Sequence, residues 1–107
     1  MSDEYPRDDE LNKIENWNWE AGFKSLIEFI QNLWWQPDWG FNLREGRDHI
    51  FRKKCMKLEL HTGGWSGNED IINSLKRNYM FWSMCWRKSM AGGHYGFEIS
   101  MDLWDKR

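Results

Sequence analysis

The sequence predicts an α+β domain in which helices and β-hairpins alternate along 107 residues. Three observations support this class. Apolar residues recur at helical spacing before Pro37, two later segments alternate as strands do, and glycine-rich turns adjoin both segments. The predicted order is helix, hairpin, helix, hairpin. Such a chain forms an antiparallel sheet of about four strands with two helices on one face.

The first helix is predicted to begin after Asn18, a residue type that often caps helices, and to end before Pro37. Its apolar face is formed by Phe23, Leu26, Ile27, Ile30, Leu33 and Trp34. The preceding residues 1–15 form an acidic leader, with five acidic residues and one arginine among the first ten. We expect this leader to be flexible and solvated, which places the folded domain at residues 16–107.

The first hairpin is predicted to follow directly. Phe41 and Leu43 alternate with polar residues as in a strand, and residues 45–48 have the composition of a turn. The second strand is expected to run over residues 49–61. Its inward side chains would be Met56, Leu58 and Leu60, with Lys57, Glu59 and His61 facing outward.

The most distinctive segment is the run from His61 to Asp70, which contains three glycines within five residues. It has the composition of a strand end, a glycine turn and a helix start. Ser66 and Glu69 have the spacing of a capping box, so a second helix is expected to begin at Gly67 and to end near Asn78. The glycine turn either only redirects the chain or offers its backbone amides to an anion.

Residues 79–88 are ambiguous. An alternating pattern places Met80, Trp82, Met84 and Trp86 on one face, whereas a helical period pairs Phe81 with Cys85. The aromatic enrichment and the following turn, Ala91 to Gly93, favour a strand of a second hairpin. Its partner strand is predicted over residues 94–100, and residues 101–107 form a tail that docks through Trp104.

The composition excludes several classes of partner. A net charge of −2 argues against a general binder of double-stranded DNA, which would carry an excess of lysine and arginine. No apolar run approaches the length of a membrane span, so we expect no membrane partner. Cys55 and Cys85 lack metal-binding or redox spacing and are expected to be free thiols. Nine tryptophans exceed what a small core can bury, so some should contact a ligand or a protein.

No motif in the sequence assigns catalysis. The histidines and cysteines do not have the spacing of a zinc site, and we predict no metal, no cofactor and no catalytic residue. A metal-assisted or acid–base phosphodiesterase built from His61, His94, Glu59 and Glu98 remains an alternative. A binding protein is favoured over an enzyme.

The predicted ligand site lies where the two double-glycine corners would meet, beside aromatic rings. Rings stack on nucleotide bases whatever the hydrogen-bond pattern of the base, at about 1–3 kcal/mol for each base. Arg77, Arg87 and Lys88 would neutralise phosphate. The candidate ligand-binding residues are His61, Thr62, Gly63, Gly64, Trp65, Ser66, Asn68, Trp82, Arg87, Gly92, Gly93, His94 and Tyr95.

Four short motifs carry a resemblance to a known group. They are Leu60 to Glu69 (LHTGGWSGNE), Phe81-Trp82 with Trp86, Gly92 to Tyr95 (GGHY), and Trp34 to Gly40 (WWxPxWG). With these motifs the chain resembles a group of small, mostly uncharacterised proteins encoded by tailed bacteriophages. The resemblance covers most of the chain except the leader, and it implies phage origin and the host cytoplasm. It implies no established activity.

Two functional hypotheses follow. The first is a phage counter-defence protein that sequesters a nucleotide-type signal, in a site that a second subunit of a homo-oligomer would help to complete. The second is a protein–protein inhibitor of a host defence nuclease, of the anti-CRISPR kind, whose anchors are Trp35, Trp39 or Trp104.

Overall fold

A computed structural model describes residues 5–105 and confirms the α+β class. Four strands form one antiparallel sheet in the order β1-β2-β4-β3. The helices are α1 (Asp8–Glu15), α2 (Lys24–Leu33), α3 (Pro37–Gly40), α4 (Ser66–Arg77), α5 (Tyr79–Cys85) and α6 (Met101–Trp104). The strands are β1 (Phe41–Arg47), β2 (Lys54–His61), β3 (Trp86–Met90) and β4 (His94–Ser100).

The register of the strands divides the sheet into two unlike faces. Leu58 pairs with Phe97 and Leu60 pairs with Tyr95, so the apolar residues of β2 and β4 share one face, which we call the inner face. The opposite face, which we call the outer face, carries mainly polar and charged side chains. Its members are Asn42, Arg44, Lys57, Glu59, His61, Lys88, His94 and Glu98.

The core lies between the inner face and the two longest helices, α2 and α4. Both helices contribute buried residues at helical spacing. The Phe81 ring, which is fully buried, contacts the buried rings of both Phe23 and Phe97. This is the predicted arrangement of two helices on one side of a sheet. In the part of the chain that the structure describes, no helix has the length and apolar character needed to cross a membrane.

The expectation of a flexible leader does not hold for residues 8–15, which form α1. Ile14 on this helix is fully buried in the core, and the Nδ2 group of Asn78 donates a hydrogen bond of 2.9 Å to the Ile14 carbonyl oxygen. The acidic residues occupy the first turn, where the helix dipole favours negative charge. One buried side chain in an acidic segment is a weak sequence signal, and for that reason the helix was not predicted. Residues 1–4 lie outside the described part.

The first predicted helix is interrupted. Asn18 caps only a 3-10 turn, Trp19–Ala21, and Gly22 adopts a φ of +83° that ends this turn before α2 begins at Lys24. Pro37 does not follow the helix directly. It is the first residue of the short α3, where its fixed φ fits the helix start.

The second strand of the first hairpin begins at Lys54, and the prediction that it begins at residue 49 is wrong. The carboxylate of Asp48 accepts hydrogen bonds from the backbone amides of Ile50, Phe51 and Lys53. These bonds hold residues 48–53 as a closed loop, so their amides are not available to a sheet.

Residues 79–85 form α5, so the strand prediction is wrong there and correct only from Trp86 onward. The Asn78 side chain accepts a hydrogen bond from the Phe81 amide and starts the helix, whose period buries Phe81 and Cys85. The helix α4 begins at Ser66 and lacks the predicted cap by that side chain. The predicted strand 94–100 is confirmed. Docking of the tail through Trp104, which is only 8% exposed, is confirmed for residues 101–105, while residues 106 and 107 lie outside the described part.

Candidate ligand site on the outer face

The two double-glycine corners meet at one end of the sheet. The Thr62 amide donates a hydrogen bond of 2.9 Å to the Gly93 carbonyl oxygen. Gly93 has a φ of +81°, and its α-carbon lies directly against the Thr62 hydroxyl, which leaves no room for a side chain. The corner itself is closed, because Thr62 is buried in this contact. The opening lies beside it, on the outer face.

A pair of histidines borders that opening. His61 ends β2 and His94 begins β4, and the two are direct partners in the ladder. Their Nδ1 atoms face each other in a hydrogen bond, with the rings edge to face and their centroids 4.3 Å apart. Burial and then the proximity of His94 lower the pKa of His61, while Glu59 acts in the opposite direction. The pair therefore favours the neutral form of His61.

Two adjoining hollows extend from this pair across the sheet, and we call them together the outer groove. The hollow at the histidines measures about 190 Å³ and the next one about 290 Å³. Glu59 and Lys88 contribute to the walls of both, so the two hollows adjoin. Their combined size falls in the range of small-molecule sites, roughly 300–1,000 Å³. Further members of the walls are Arg44, His49, Lys57, Arg87, Met90, Tyr95, Gly96 and Glu98.

Glu98 is the centre of an ion-pair cluster at the far end of the outer groove. Its carboxylate lies 2.9 Å from His49 Nδ1, 3.1 Å from Arg87 Nε and 3.3 Å from Lys57 Nζ. A bulge between Trp86 and Lys88 directs Arg87 toward it. Burial raises the pKa of Glu98, but hydrogen bonds from His49 and Arg87, and then from Lys57, outweigh it and lower the pKa to about 2.

Positive charge exceeds negative charge in the outer groove. Arg44 pairs with Glu59 at 3.6 Å, and Glu98 is shared among several cationic groups. Lys88 has no carboxylate within 4.0 Å anywhere in residues 5–105. Its aliphatic stem crosses Gly96, where a missing side chain gives the stem space. The ammonium group of Lys88 is therefore available to an anion in a chain whose net charge is −2.

An exposed indole stands at the histidine end of the outer groove. The Trp39 side chain is 61% exposed, and its ring centroid lies 6.1 Å from that of His61. The ring also covers Gly63, whose φ of +64° and close approach to the indole leave no space for a Cβ atom. The glycine thus lets the turn pass under the ring, which holds Trp39 beside the opening.

The structure brings together about half of the predicted site residues. His61, Thr62, Gly63, Gly93 and His94 meet at the closed corner or line the opening. The exposed Gly64 and Gly92 lie in the same turns, and Arg87 lies in the outer groove with Glu98.

The other predicted residues have different surroundings. Trp65 stacks on Trp35 at 4.5 Å, and Ser66 begins α4. Asn68 is buried. Its side-chain oxygen accepts a hydrogen bond from the Trp35 amide, and its side-chain nitrogen donates to the carbonyl oxygens of Trp35 and Thr62.

Trp82 and Tyr95 have their ring contacts on the inner side of the sheet. The Trp82 ring packs against Phe97, and Lys76 lies within 6 Å of both the Trp82 and Tyr95 rings. Tyr95 still borders the histidine hollow. The Trp82 ring therefore does not line the outer groove, and the exposed ring that lies beside the histidine pair is that of Trp39.

Three residues of the groove walls were not predicted for the ligand site: Arg44, His49 and Lys57. Trp39, which lies beside the groove at His61, was predicted only as a protein anchor. Lys88 was predicted to neutralise phosphate, and Glu98 was predicted only for the phosphodiesterase alternative. The signal that points to some of them is the alternation of charged with apolar residues along β2 and β4. That alternation marks the outer face but does not indicate which strands are neighbours.

Comparison of the chain with protein-family models, curated proteins and solved structures gives no match. Within residues 5–105 no three histidine, cysteine, aspartate or glutamate side chains cluster as a metal site.

Proposed function

We propose that this protein binds a nucleotide-type ligand in the outer groove. The observation that carries the proposal is that three unlike parts lie next to one another: the exposed Trp39 indole beside His61, the hollow at the histidine pair, and the adjoining hollow with Lys88. A nucleotide has the same division, with a flat base at one end and phosphate at the other. Stacking supplies affinity at the first end and charge at the second.

Phosphate is assigned to the part of the groove around Lys88 and Arg44. Lys88 carries a charge with no partner among the described residues, and Arg44 shares only a surface pair with Glu59 at 3.6 Å. An incoming phosphate therefore gains charge-assisted hydrogen bonds without first breaking a buried ion pair. Glu98, by contrast, is already neutralised by its own cluster and keeps Arg87 and Lys57 in place.

The base is assigned to the exposed face of the Trp39 indole, next to the histidine pair. Trp39 is held at its position by Gly63, and His61 by its bond to His94, so ligand binding orders few side chains. Small ordering costs favour affinity. Stacking alone does not select one base, and the proposal therefore covers nucleotide-type ligands as a class.

The biological setting we propose is that of a phage accessory protein acting against host defence in the host cytoplasm. The resemblance of its glycine-tryptophan motifs to small tailed-phage proteins supports this setting. Sequestering, without turnover, is the proposed mode, because charged and aromatic groups favour binding and no nucleophile motif accompanies them. A second subunit that closes the open groove belongs to the same proposal.

Isothermal titration calorimetry with linear and cyclic nucleotides tests the binding. The protein is first freed of co-purified nucleotide and kept in EDTA. We expect heat with at least one phosphate-bearing compound and none with its nucleoside. Lys88→Ala is expected to weaken binding about tenfold, which is the value of one charge-assisted hydrogen bond. Lys24→Ala, an exposed lysine on α2, is the matched control and should bind as the parent does.

The outcome that would overturn the proposal is equally specific. Absence of heat with every nucleotide in the panel contradicts it, as does equal weakening by the Lys88 and Lys24 substitutions.

A second candidate function is inhibition of a host nuclease through protein contact. The observation that favours it is the loop 48–53, where Asp48 holds Ile50 and Phe51 outward at 61% and 74% exposure. Of the proposed tryptophan anchors, Trp39 is exposed, whereas Trp104 is buried and does not serve. A stoichiometric nuclease captured from host lysate and lost with Phe51→Ser would support this function over the first.

A further inference from the structure

We propose that His61 and His94 bind a divalent transition-metal ion of the zinc class at the rim of the outer groove. The inference concerns a different ligand from the nucleotide and does not depend on it. It starts from the most unusual contact in the structure, two imidazole Nδ1 atoms that face each other across neighbouring strands.

The backbone holds the two rings at this separation. His61 and His94 are direct ladder partners, and the next residues along are joined by the hydrogen bond from the Thr62 amide to the Gly93 carbonyl. Thr62 is buried and lies against Gly93, so the corner is tightly packed beside the hydrogen bond that joins its two strands. Two ligands on a fixed scaffold lose little entropy when they bind an ion, and such preorganisation raises affinity.

The chemistry of the donor pair fits an ion of this class. Imidazole nitrogen is a preferred ligand of zinc, copper and nickel, and either ring nitrogen can ligate. Zinc–nitrogen bonds of about 2.0–2.1 Å in a tetrahedral site place two ligand nitrogens roughly 3.3 Å apart. The rings therefore need only rotate slightly away from each other, while the strands stay in place.

The rest of the coordination sphere is open toward the outer groove. Glu59 borders the same hollow, and its charge favours a cation near His61. Its carboxylate already pairs with Arg44, so we assign the remaining positions to water or to oxygens of a bound molecule. Two protein ligands with open positions give a site that is weaker than a four-ligand structural zinc site and exchangeable.

The test uses metal alone. Protein is stripped with EDTA, the chelator is removed, and Zn²⁺ is titrated by calorimetry without any nucleotide. We expect one ion per chain. His61→Ala and His94→Ala should each weaken binding by more than about tenfold, since even the loss of an outer-shell partner usually costs that much. His49→Ala is the matched control, because His49 is an exposed histidine of the same face and should leave binding unchanged.

A second readout separates ligation from a purely structural role of the pair. In long-range ¹H–¹⁵N spectra, Zn²⁺ should move the Nδ1 signals of His61 and His94 and leave those of His49 unchanged. Circular dichroism establishes that each variant is folded, and His61→Asn replaces His61→Ala if the latter is not. Absence of binding, or equal binding by the parent and both variants, would overturn the metal site and leave the histidines as a hydrogen-bonded pair.

The two proposals fail independently. Nucleotide binding is measured in EDTA and Zn²⁺ binding without nucleotide, so either result stands without the other.

Discussion

The inner and outer faces of the sheet are made by the same strands and differ in nearly every property. Phe97 and Glu98 are neighbours on β4, yet Phe97 packs against Phe81 and Trp82 while the Glu98 carboxylate contacts Arg87, Lys57 and the imidazole of His49. The inner face is covered by helices. The outer face is covered only in part, by the loop 48–53, whose His49 contacts Glu98.

This difference indicates that the two faces contribute differently to the free energy of folding and to the proposed ligand binding. Apolar burial on the inner face provides most of the folding free energy. Charges arranged on an uncovered face provide little, because solvent screens them. Lys88, which has no ion-pair partner in residues 5–105, is therefore expected to contribute little to folding. The following predictions test that division, from the largest expected effect to the smallest.

Phe97→Ala should have the largest effect on stability. Removing a buried phenyl ring leaves a cavity between Phe81 and Trp82, and such substitutions cost about 3–5 kcal/mol. Urea unfolding followed by tryptophan fluorescence measures the loss. Lys57→Ala on the outer face is the contrast and should cost about 1 kcal/mol or less. Similar losses of unfolding free energy for the two variants would contradict the distinction between the two faces.

Gly93→Ala should have the next largest effect on stability. The residue has a φ of +81°, and an added Cβ would collide with the Thr62 hydroxyl, so we expect a loss of about 3 kcal/mol in urea unfolding. Gly64→Ala is the matched control. It has a similar φ of +73° with nothing within 4 Å, and it should cost only about 1 kcal/mol for the strained backbone. Equal costs would mean that the corners do not meet as described.

The pH dependence of stability should reveal the Glu98 cluster. Its pKa in the folded chain, about 2, lies below the ordinary value of 4.5, so its contribution is present above pH 4.5 and is lost as pH falls toward 2. We expect Glu98→Gln to lower the unfolding free energy by about 2 kcal/mol at neutral pH. The two proteins should converge at the acid end. A difference that stays constant with pH would contradict the assignment.

Lys88→Ala should have the smallest effect on stability, within about 0.5 kcal/mol in urea unfolding, because the lysine has no ion-pair partner in residues 5–105. The same substitution is expected to weaken nucleotide binding about tenfold. A variant that loses stability and affinity together would show that Lys88 supports the fold.

The sequence predicted elements whose pattern is local. Strand β4 alternates cleanly, and the apolar period of α2 is regular, so both were found. Helix α5 was missed because its start depends on the Asn78 side chain, which also bonds the Ile14 carbonyl far away in the chain. The loop 48–53 was predicted as part of a strand. Its backbone amides do not join the sheet, because the Asp48 carboxylate accepts hydrogen bonds from three of them.

The candidate site was predicted only in part for a similar reason. The sequence predicted that the two glycine corners meet and that His61 and His94 lie beside them. It did not predict the hydrogen-bonded pair that the two histidines form. The position of Lys88 in the outer groove depends on the strand order β2-β4-β3, which places Lys88 beside Gly96. No local sequence pattern determines that order. Trp39 reaches the groove because Gly63 approaches its ring, which is also a tertiary contact.

The most direct test of the central claim is a ¹H–¹⁵N titration of the labelled protein with the best nucleotide from calorimetry. We expect shifts confined to the outer face and its histidine end, at Asn42, Lys57, Glu59, His61, Gly96 and the Trp39 indole. Amides of α2 and α4 should stay unchanged. Saturable shifts confined to those helices, or no shifts at all, would contradict a ligand site on the open side of the sheet.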